Sequence, residues 1–418
     1  MAGVGLSSLL GSVKASRQQV DYGTWRGRVQ DTNIRIETQE DLFRVINHAV
    51  RMPLSDLRIQ TGMPVFVDNH GHLTAITAAL NPETVTRIIE WLAQRANISY
   101  QIGTGSDFDC AFTIPDLTDT DEAGLPTKHR FRLNITGCLS DGATSGIRLA
   151  ARYISQTIPT KERVRLEPEI VENATPQQGG VIFLGEVGSG KTSSCAAIMR
   201  EIAEGRTSVR GYVLTYEAPC EFAFDTLLSD CVVFGPTEIP IHLRDFPSGA
   251  RNSLRCKPNF SYLGEMRDRE TIEGAAELII TGVPLLTTAH ANRVSVGFTR
   301  LIQKFPVPQQ PQAFFSLIAN THMLVNQRIV RHADWSEDNQ KMICLREWQI
   351  LTDDIRVRLE DAGPERHGRV LQEIIDNPSN KYGRSMRETV RRFYQAGEIT
   401  QETAHRMLAA YGYLPTDL

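Results

Sequence analysis

The chain of 418 residues is 41% hydrophobic and 22% charged. That balance suits a soluble globular protein of about two to four domains and excludes a disordered chain. Its 45 Lys and Arg residues against 49 Asp and Glu leave a formal charge of −4, too near neutral for global attraction to nucleic acid or anionic lipid, a local patch aside.

The start, Met1 to Val13, is mildly apolar but lacks a basic n-region, so residues 1–38 read as a loose or amphipathic arm and not as a signal peptide. An α+β domain is expected up to residue 160. Asp41 to Val50 carries Leu42, Val45, Ile46 and Ala49 on one helical stripe. Short strands are expected at Leu57–Gln60 and Pro64–Val67, with a turn at Asn69-His70-Gly71. Asn81 is an N-cap with Pro82 at the first helical position, and the helix runs to about Ala96. Strands follow at Ala111–Ile114 and Arg130–Ile135, separated by a polar surface loop, Asp116 to Lys128. The charged, Pro-bearing stretch ending in Gln-Gln-Gly-Gly places a linker at 161–180. From Val181 to residue 376, short apolar strands alternate with helices, the rhythm of a mostly parallel, doubly wound sheet. The tail, 377–418, reads as a helical pair: Ser385 and Glu388 form a capping box, and Gly397 separates the helices.

No apolar run reaches the roughly 18–20 residues that cross a bilayer; the longest, Leu278 to Ala289, contains Gly282 and Pro284. Seven cysteines form no Cys-x-x-Cys pair, against a disulfide framework or zinc site and for a reducing, cytoplasmic setting.

The strongest signal is Gly185-Glu186-Val187-Gly188-Ser189-Gly190-Lys191-Thr192, a full match to G-x-x-x-x-G-K-[ST]. The strand-like Val181–Leu184 precedes it and a helix from Ser193 to Glu204 follows, the context a phosphate-binding loop requires. Glycines let backbone N–H groups turn inward around phosphate oxygens, and the helix N-terminus adds a favourable dipole. Lys191 is expected to reach the β- and γ-phosphates of ATP, and Thr192 to ligate Mg2+. Residues 185–193 are the expected nucleotide contacts.

Two apolar strands then end in carboxylates. Gly211 to Glu217 places Glu217 at the ligand crevice of such a sheet, or else facing solvent as a loop cap. Phe260 to Leu263 leads to Gly264-Glu265, a Walker-B-like element with glycine where an aspartate is usual. Glu265 would hold Mg2+ or polarise the nucleophile. Arg267 and Asp268 equally suit a local ion pair capping the next helix. His290, just past Thr287-Thr288-Ala289, is either a γ-phosphate sensor or a plain hydrogen-bonded residue.

Together these elements resemble the secretion and pilus motor ATPases of type II secretion, type IV pili and type IV secretion. The loop is the family's Walker A, and Leu214 to Phe222 resembles its acidic box. Ser253–Pro258 leading into Leu263–Asp268 resembles its Walker B, and Thr281-Gly282 through His290-Ala291-Asn292 its His box. Ser55-Asp56-Leu57, Gly62-Met63-Pro64 and Arg130-Phe131-Arg132-Leu133-Asn134 resemble its N-terminal domain. The resemblance implies an α/β chain: a PAS-like α+β domain, a RecA-like P-loop NTPase core and a C-terminal helical tail. It implies Mg2+-dependent ATP hydrolysis by a ring, usually of six copies, that works on an inner-membrane secretion or conjugation channel from the cytoplasmic side, without sequence-specific nucleic-acid binding. Catalytic roles carry over to Glu217, expected to orient water, to Glu265, expected to support Mg2+ or share that role, and to His290; family members differ over the division between the two glutamates, so the reverse assignment stays open. Arg130 and Arg132 carry over as arginines that reach a nucleotide, commonly across a subunit interface; a third is Arg152 or Arg148, with Arg152 preferred. A guanidinium suits the task because it stays charged and forks onto phosphate oxygens.

Departures narrow the resemblance. Glu217-Ala218-Pro219 stands where pilus motors carry Glu-Asp-Pro, Thr281-Gly282-Val283 where they carry Thr-Gly-His, and the tetracysteine zinc site of type II secretion motors is missing. What remains resembles the type IVB secretion and plasmid conjugation ATPases of the Dot/Icm and TraJ type. Two other readings share the P-loop: a RecA-like nucleic-acid translocase or helicase, which the near-neutral charge disfavours, and a small-molecule kinase, for which no lid or acceptor feature is visible.

Overall fold

The computed structural model describes residues 34–69, 71–94, 97–120, 126–140, 144–154, 157–336 and 339–418. Most of the expected arm (1–38) and His70 of the expected turn lie outside them. The chain divides into two compact units, Met1–Gln156 and Thr157–Leu418.

In the first unit, helices α1 (Gln39–Val50), α2 (Pro82–Ala93) and α3 (Ile98–Gly103) accompany six strands, β1 (Asp56–Gln60), β2 (Phe66–Asn69), β3 (His72–Ala75), β4 (Phe108–Thr120), β5 (Pro126–Ser140) and β6 (Thr144–Ile154). The sheet order is β3-β2-β1-β6-β5-β4, and every neighbouring pair is antiparallel. Period-two alternation sends Leu57, Ile59, Phe131, Leu133, Leu149 and Ala151 to one face, where the apolar stripes of α1 and α2 cover them. Thr38 and Asp41 cap α1 reciprocally, and Asn81 caps α2 by accepting the Thr84 N–H. The left-handed Gln94 ends α2, so the helix stops short of Ala96. The expected loop over 116–128 is instead largely strand, because β4 runs on to Thr120 and β5 starts at Pro126. Asp116, buried there, is held by Arg51 Nη2 at 2.7 Å and His129 Nε2 at 3.4 Å. Paired polar groups can extend a hairpin that composition alone assigns to a loop.

The second unit is built on an eight-stranded sheet. In chain order its elements are α4 (Pro168–Asn173), β7 (Gly180–Leu184), α5 (Lys191–Ala203), β8 (Gly211–Glu217), β9 (Val232–Glu238), α6 (Phe246–Cys256), β10 (Phe260–Leu263), α7 (Arg269–Ile280), β11 (Leu285–Ala289), α8 (Gly297–Ile302), α9 (Gln310–Asn320), β12 (Thr321–Arg331), β13 (Met342–Ile350), α10 (Asp353–Asp376), β14 (Gly383–Arg384), α11 (Met386–Gln395) and α12 (Gln401–Ala410). The order β14-β13-β12-β7-β11-β10-β8-β9 is parallel from β12 to β9 and antiparallel at β13 and β14. Both faces are covered. Along β7, Ile182 and Leu184 enter one apolar cluster while Val181 and Phe183 enter the other, as continuous apolar strands of a parallel sheet do.

Two expected boundaries move. Residues 161–180 are no spacer: Leu166, Ile170 and Ala174 are buried against α5 and β7 in the second unit's core. Nor is 377–418 a separate appendage. Its Met386, Val390, Leu408 and Tyr411 pack on Val330, Ile343 and Leu345 of β12 and β13, and β14 pairs with β13. Among the described residues no helix is long and apolar enough to cross a membrane.

Candidate functional site

The Gly185–Thr192 loop joins β7 to α5. Gly188 and Gly190 stand at φ +78° and +81°, a left-handed backbone that glycine adopts without a Cβ penalty. The turn is tight, for a Cβ on Gly185 would lie 2.4 Å from Ser189 Oγ and 2.8 Å from Gln327 O. The helix begins at Lys191, earlier than expected, so Thr192 and Ser193 sit in its first turn. Lys191 Nζ donates to the carbonyls of Gly185 and Glu186, each at 2.9 Å. Burial lowers its pKa, with Glu265 as the foremost opposing charge. Ser189 Oγ is buried and has no partner. An inward-turned backbone, a helix N-terminus, an ammonium and an unmatched hydroxyl oxygen together fit a polyphosphate.

A cleft of about 640 Å3 opens beside the loop, with Gly185, Glu186, Glu265, His290 and Lys304 in its wall. The two strand-end carboxylates behave differently here. Glu265 lines the cleft with its side chain 31% exposed, and its Oε1 lies 3.1 Å from His290 Nε2. His290 Nδ1 lies 3.2 Å from the Gly185 carbonyl oxygen. His290 thus ties the phosphate loop to the end of β10. Glu217 is 2% exposed, so it does not face solvent. It accepts a hydrogen bond from Thr215 Oγ1 at 2.8 Å, and it is not among the residues of the cleft wall. Asp268 caps α7, accepting from Thr271 N at 2.9 Å. Arg267 lies over the Phe246 ring, 5.0 Å from its centroid. The two therefore do separate jobs in place of the local ion pair the sequence allowed.

The second layer of the loop carries residues that sequence reading passed over. Gln327, fully buried on β12, donates through Nε2 to the Ser189 carbonyl at 2.6 Å and accepts from Ser194 Oγ at 3.0 Å. Arg328 pairs with Glu186. Arg346 on β13, 1% exposed, contacts Gln327 and Ser194. No motif marks these positions. Their one sequence signal is polar residues within otherwise apolar strands.

Arg130, Arg132, Arg148 and Arg152 lie in the first unit. Alternation puts them on the sheet face opposite the core, with Arg132 directly across from Arg152 in the β5–β6 register. Arg152 is an exposed guanidinium whose Nε reaches Asp56 Oδ1 at 3.1 Å. Arg58, on the same face, pairs with Asp68 at 3.1 Å.

A family model described as "Type II/IV secretion system protein" matches residues 127–401, more than half of the chain. The chain is 26% identical over 352 residues to the type IV pilus ATPase PilU of Pseudomonas aeruginosa, covering 84% of each. The X-ray structure of the Legionella pneumophila ATPase DotB is 29% identical, superposes with a TM-score of 0.78, and is matched over 91% of this chain and 99% of that one. The pilus retraction motor PilT with bound ADP, at 22% identity and a TM-score of 0.70, covers 88% of this chain and 96% of its own, a likeness of fold.

Proposed function

This chain belongs to the type II/IV secretion system protein family, and we propose that it is a Mg2+-dependent ATPase driving a type IVB-like secretion or conjugative transfer system. The observation that carries the reading is the convergence of three strand ends. The loop after β7, Glu265 after β10 and His290 after β11 meet at one cleft. In the fold's terms, the second unit is a RecA-like core and the first a PAS-like domain.

Bound ATP supplies the anhydride to be cleaved, and Mg2+ neutralises its charge. The chain's own groups do the rest. The amides of Gly188 to Thr192 and the Lys191 ammonium bind phosphate oxygens, with Lys191 exchanging the Gly185 and Glu186 carbonyls for them. The Thr192 hydroxyl would be the chain's ligand to the metal. Among the described residues no cluster of three or more His, Cys, Asp and Glu side chains could hold a metal alone. A hard cation here would draw its remaining ligands from phosphate and water, as Mg2+ commonly does. Glu265 is the group placed to orient the attacking water, because it faces the cleft; Glu217, deeper and bound to Thr215, supports it. The sequence left this division open, with Glu217 preferred for the water. His290 holds Glu265 against the loop. The arginine face of the first unit, Arg130, Arg132 and Arg152, offers guanidinium charge to the nucleotide within a closed ring, usually six-membered, at the cytoplasmic side of the inner membrane.

Likeness to DotB over nearly its whole chain supports the secretion reading, as do Ala218 and Val283 in the two boxes. A second reading, a pilus motor, is favoured by the match to PilU. Purified protein should release phosphate from ATP, and Lys191→Ala should lower turnover by about a thousandfold or more; unchanged turnover rejects the site. A deletion strain complemented with either form separates the readings: loss of conjugal or effector transfer with pilus retraction intact supports the first, and the converse the second.

A further inference from the structure

Arg346 is an expensive residue to bury, since a guanidinium loses its hydration and must regain every contact from the protein. It does so with all three nitrogens. Nε faces Gln327 Oε1 at 3.3 Å, and Nη2 donates to Ser194 Oγ at 3.1 Å and to the Val164 carbonyl at 2.9 Å. Nη1 donates to the Arg165 carbonyl at 2.8 Å and to Glu167 Oε2 at 3.1 Å. One planar group thus joins two otherwise separate places. On one side is the phosphate loop, because Gln327 also holds the Ser189 carbonyl and Ser194 lies in the first turn of α5. On the other is the stretch 164–167, near the start of the second unit.

That stretch is itself under constraint. Arg165 has φ +51°, a left-handed conformation that a side chain disfavours. It is secured from two directions: its carbonyl by Arg346, and its side chain by Glu398 of the α11–α12 turn, Nη2 to Oε1 at 2.9 Å. Glu167 is the N-cap position of α4. An apolar side chain at 346 would fill the space at lower cost, but it would transmit nothing between these elements.

We infer that Gln327 and Arg346 are positioning residues that couple the state of the phosphate loop to the entry segment 164–167. The inference rests on the ATP-binding reading above and deepens it. When the loop closes on phosphates, the Ser189 carbonyl and the Ser194 hydroxyl shift with it. The chain Ser189–Gln327–Arg346 carries that shift to the backbone carbonyls of Val164 and Arg165. The coupling needs discrete polar contacts, which rearrange together or not at all.

The test combines wild-type protein with Gln327→Glu. The variant keeps an oxygen for Arg346 and Ser194 but has no donor for the Ser189 carbonyl. Amide hydrogen exchange is followed with and without ATP and Mg2+, and ATP affinity by calorimetry. In wild type, ATP should slow exchange at 185–194 and change it at 164–167. In Gln327→Glu, the response at 164–167 to saturating ATP and Mg2+ should disappear, with affinity falling by about tenfold and the melting temperature by a few degrees for one lost buried donor. A merely structural role would leave a wild-type-like response of 164–167 to saturating ATP, whatever the change in melting temperature. Should the variant fail to fold, the wild-type arm decides: ATP protection of the loop with a silent 164–167 overturns the inference alone. No ATP binding by wild type overturns this inference and the proposed function together.

Discussion

The ends of β8 and β10 are neighbours in the sheet and read alike in sequence, each an apolar strand closing on a glutamate, yet they do different things. Leu263 pairs with Tyr216, and the Gly264 N–H donates to the Tyr216 carbonyl at 2.8 Å. One strand then stops at a buried carboxylate that accepts from Thr215 Oγ1. The other turns outward, so that Glu265 reaches His290 and the cleft. The glycine between them is part of the cause: a Cβ at 264 would sit 3.2 Å from the Tyr216 carbonyl and 3.4 Å from Glu217 Cα. A side chain at 264 would therefore press on the neighbouring strand end by a few tenths of an ångström. Motif spacing places a carboxylate at a crevice, but burial and its partners decide what the carboxylate does there.

The comparison is most easily broken by neutralising each carboxylate in turn. Glu265→Gln should lower kcat by about a hundredfold or more, the usual range for losing a general base, with ATP still bound. Glu217→Gln should cost about tenfold, because its contribution runs through Thr215 and the shape of the pocket. Single-turnover hydrolysis with separate measurement of ATP affinity checks both; a larger loss at 217 than at 265, with binding intact, reverses the assignment. Gly264→Ala sharpens the same point with a smaller effect. Its methyl group meets backbone, which would have to give by a few tenths of an ångström. We expect a severalfold drop in kcat, little change in KM and about 1 kcal/mol of lost stability, in the range of mild overpacking; equal activity would mean the strand ends tolerate separation.

How much of this was legible beforehand follows the same division between local and tertiary causes. The strand–loop–helix at 181–203 was, because Gly188 and Gly190 answer a backbone demand that sequence states directly. The cap at Asn81 was too, and so was half of the capping box at Ser385, which accepts the Glu388 N–H while the Glu388 carboxylate pairs with Arg392 instead. The burial of 161–180 was missed, although Leu166, Ile170 and Ala174 recur at helical spacing; prolines and charges outweighed a signal only three residues long. The strand at 116–120 and 126–128 was hidden because Asp116 is matched by Arg51 and His129, far away in sequence or in the partner strand. Gln327 and Arg346 could not have been assigned at all. Their meaning lies in which elements β12 and β13 bring within reach, and nothing local specifies that.

A third strand carboxylate, Glu347 on β13, gives the comparison its smallest and cleanest test. It is buried as deeply as Glu217. Its Oε1 accepts the Val294 N–H at 2.7 Å, but Oε2 is buried without a partner. Burial pushes its carboxyl up from 4.5 to about 7, against the backbone N–H groups of Val294 and Met386 and the charge of Arg293; Asp376 adds to the rise. A raised pKa means the folded state holds the proton more tightly than the unfolded one. The associated stability is therefore fully present below about pH 4.5 and is lost as pH rises through about 7. Glu347→Gln keeps the oxygen for Val294 and cannot ionise. Between pH 5 and 8.5, the wild-type melting temperature should fall relative to the variant's by a few degrees, given a domain of this size. The difference between the two proteins is the quantity to plot, because other groups titrate equally in both. A difference that stays flat across that range would mean that Oε2 finds water or another donor, and that depth alone does not set a carboxylate's behaviour in this sheet.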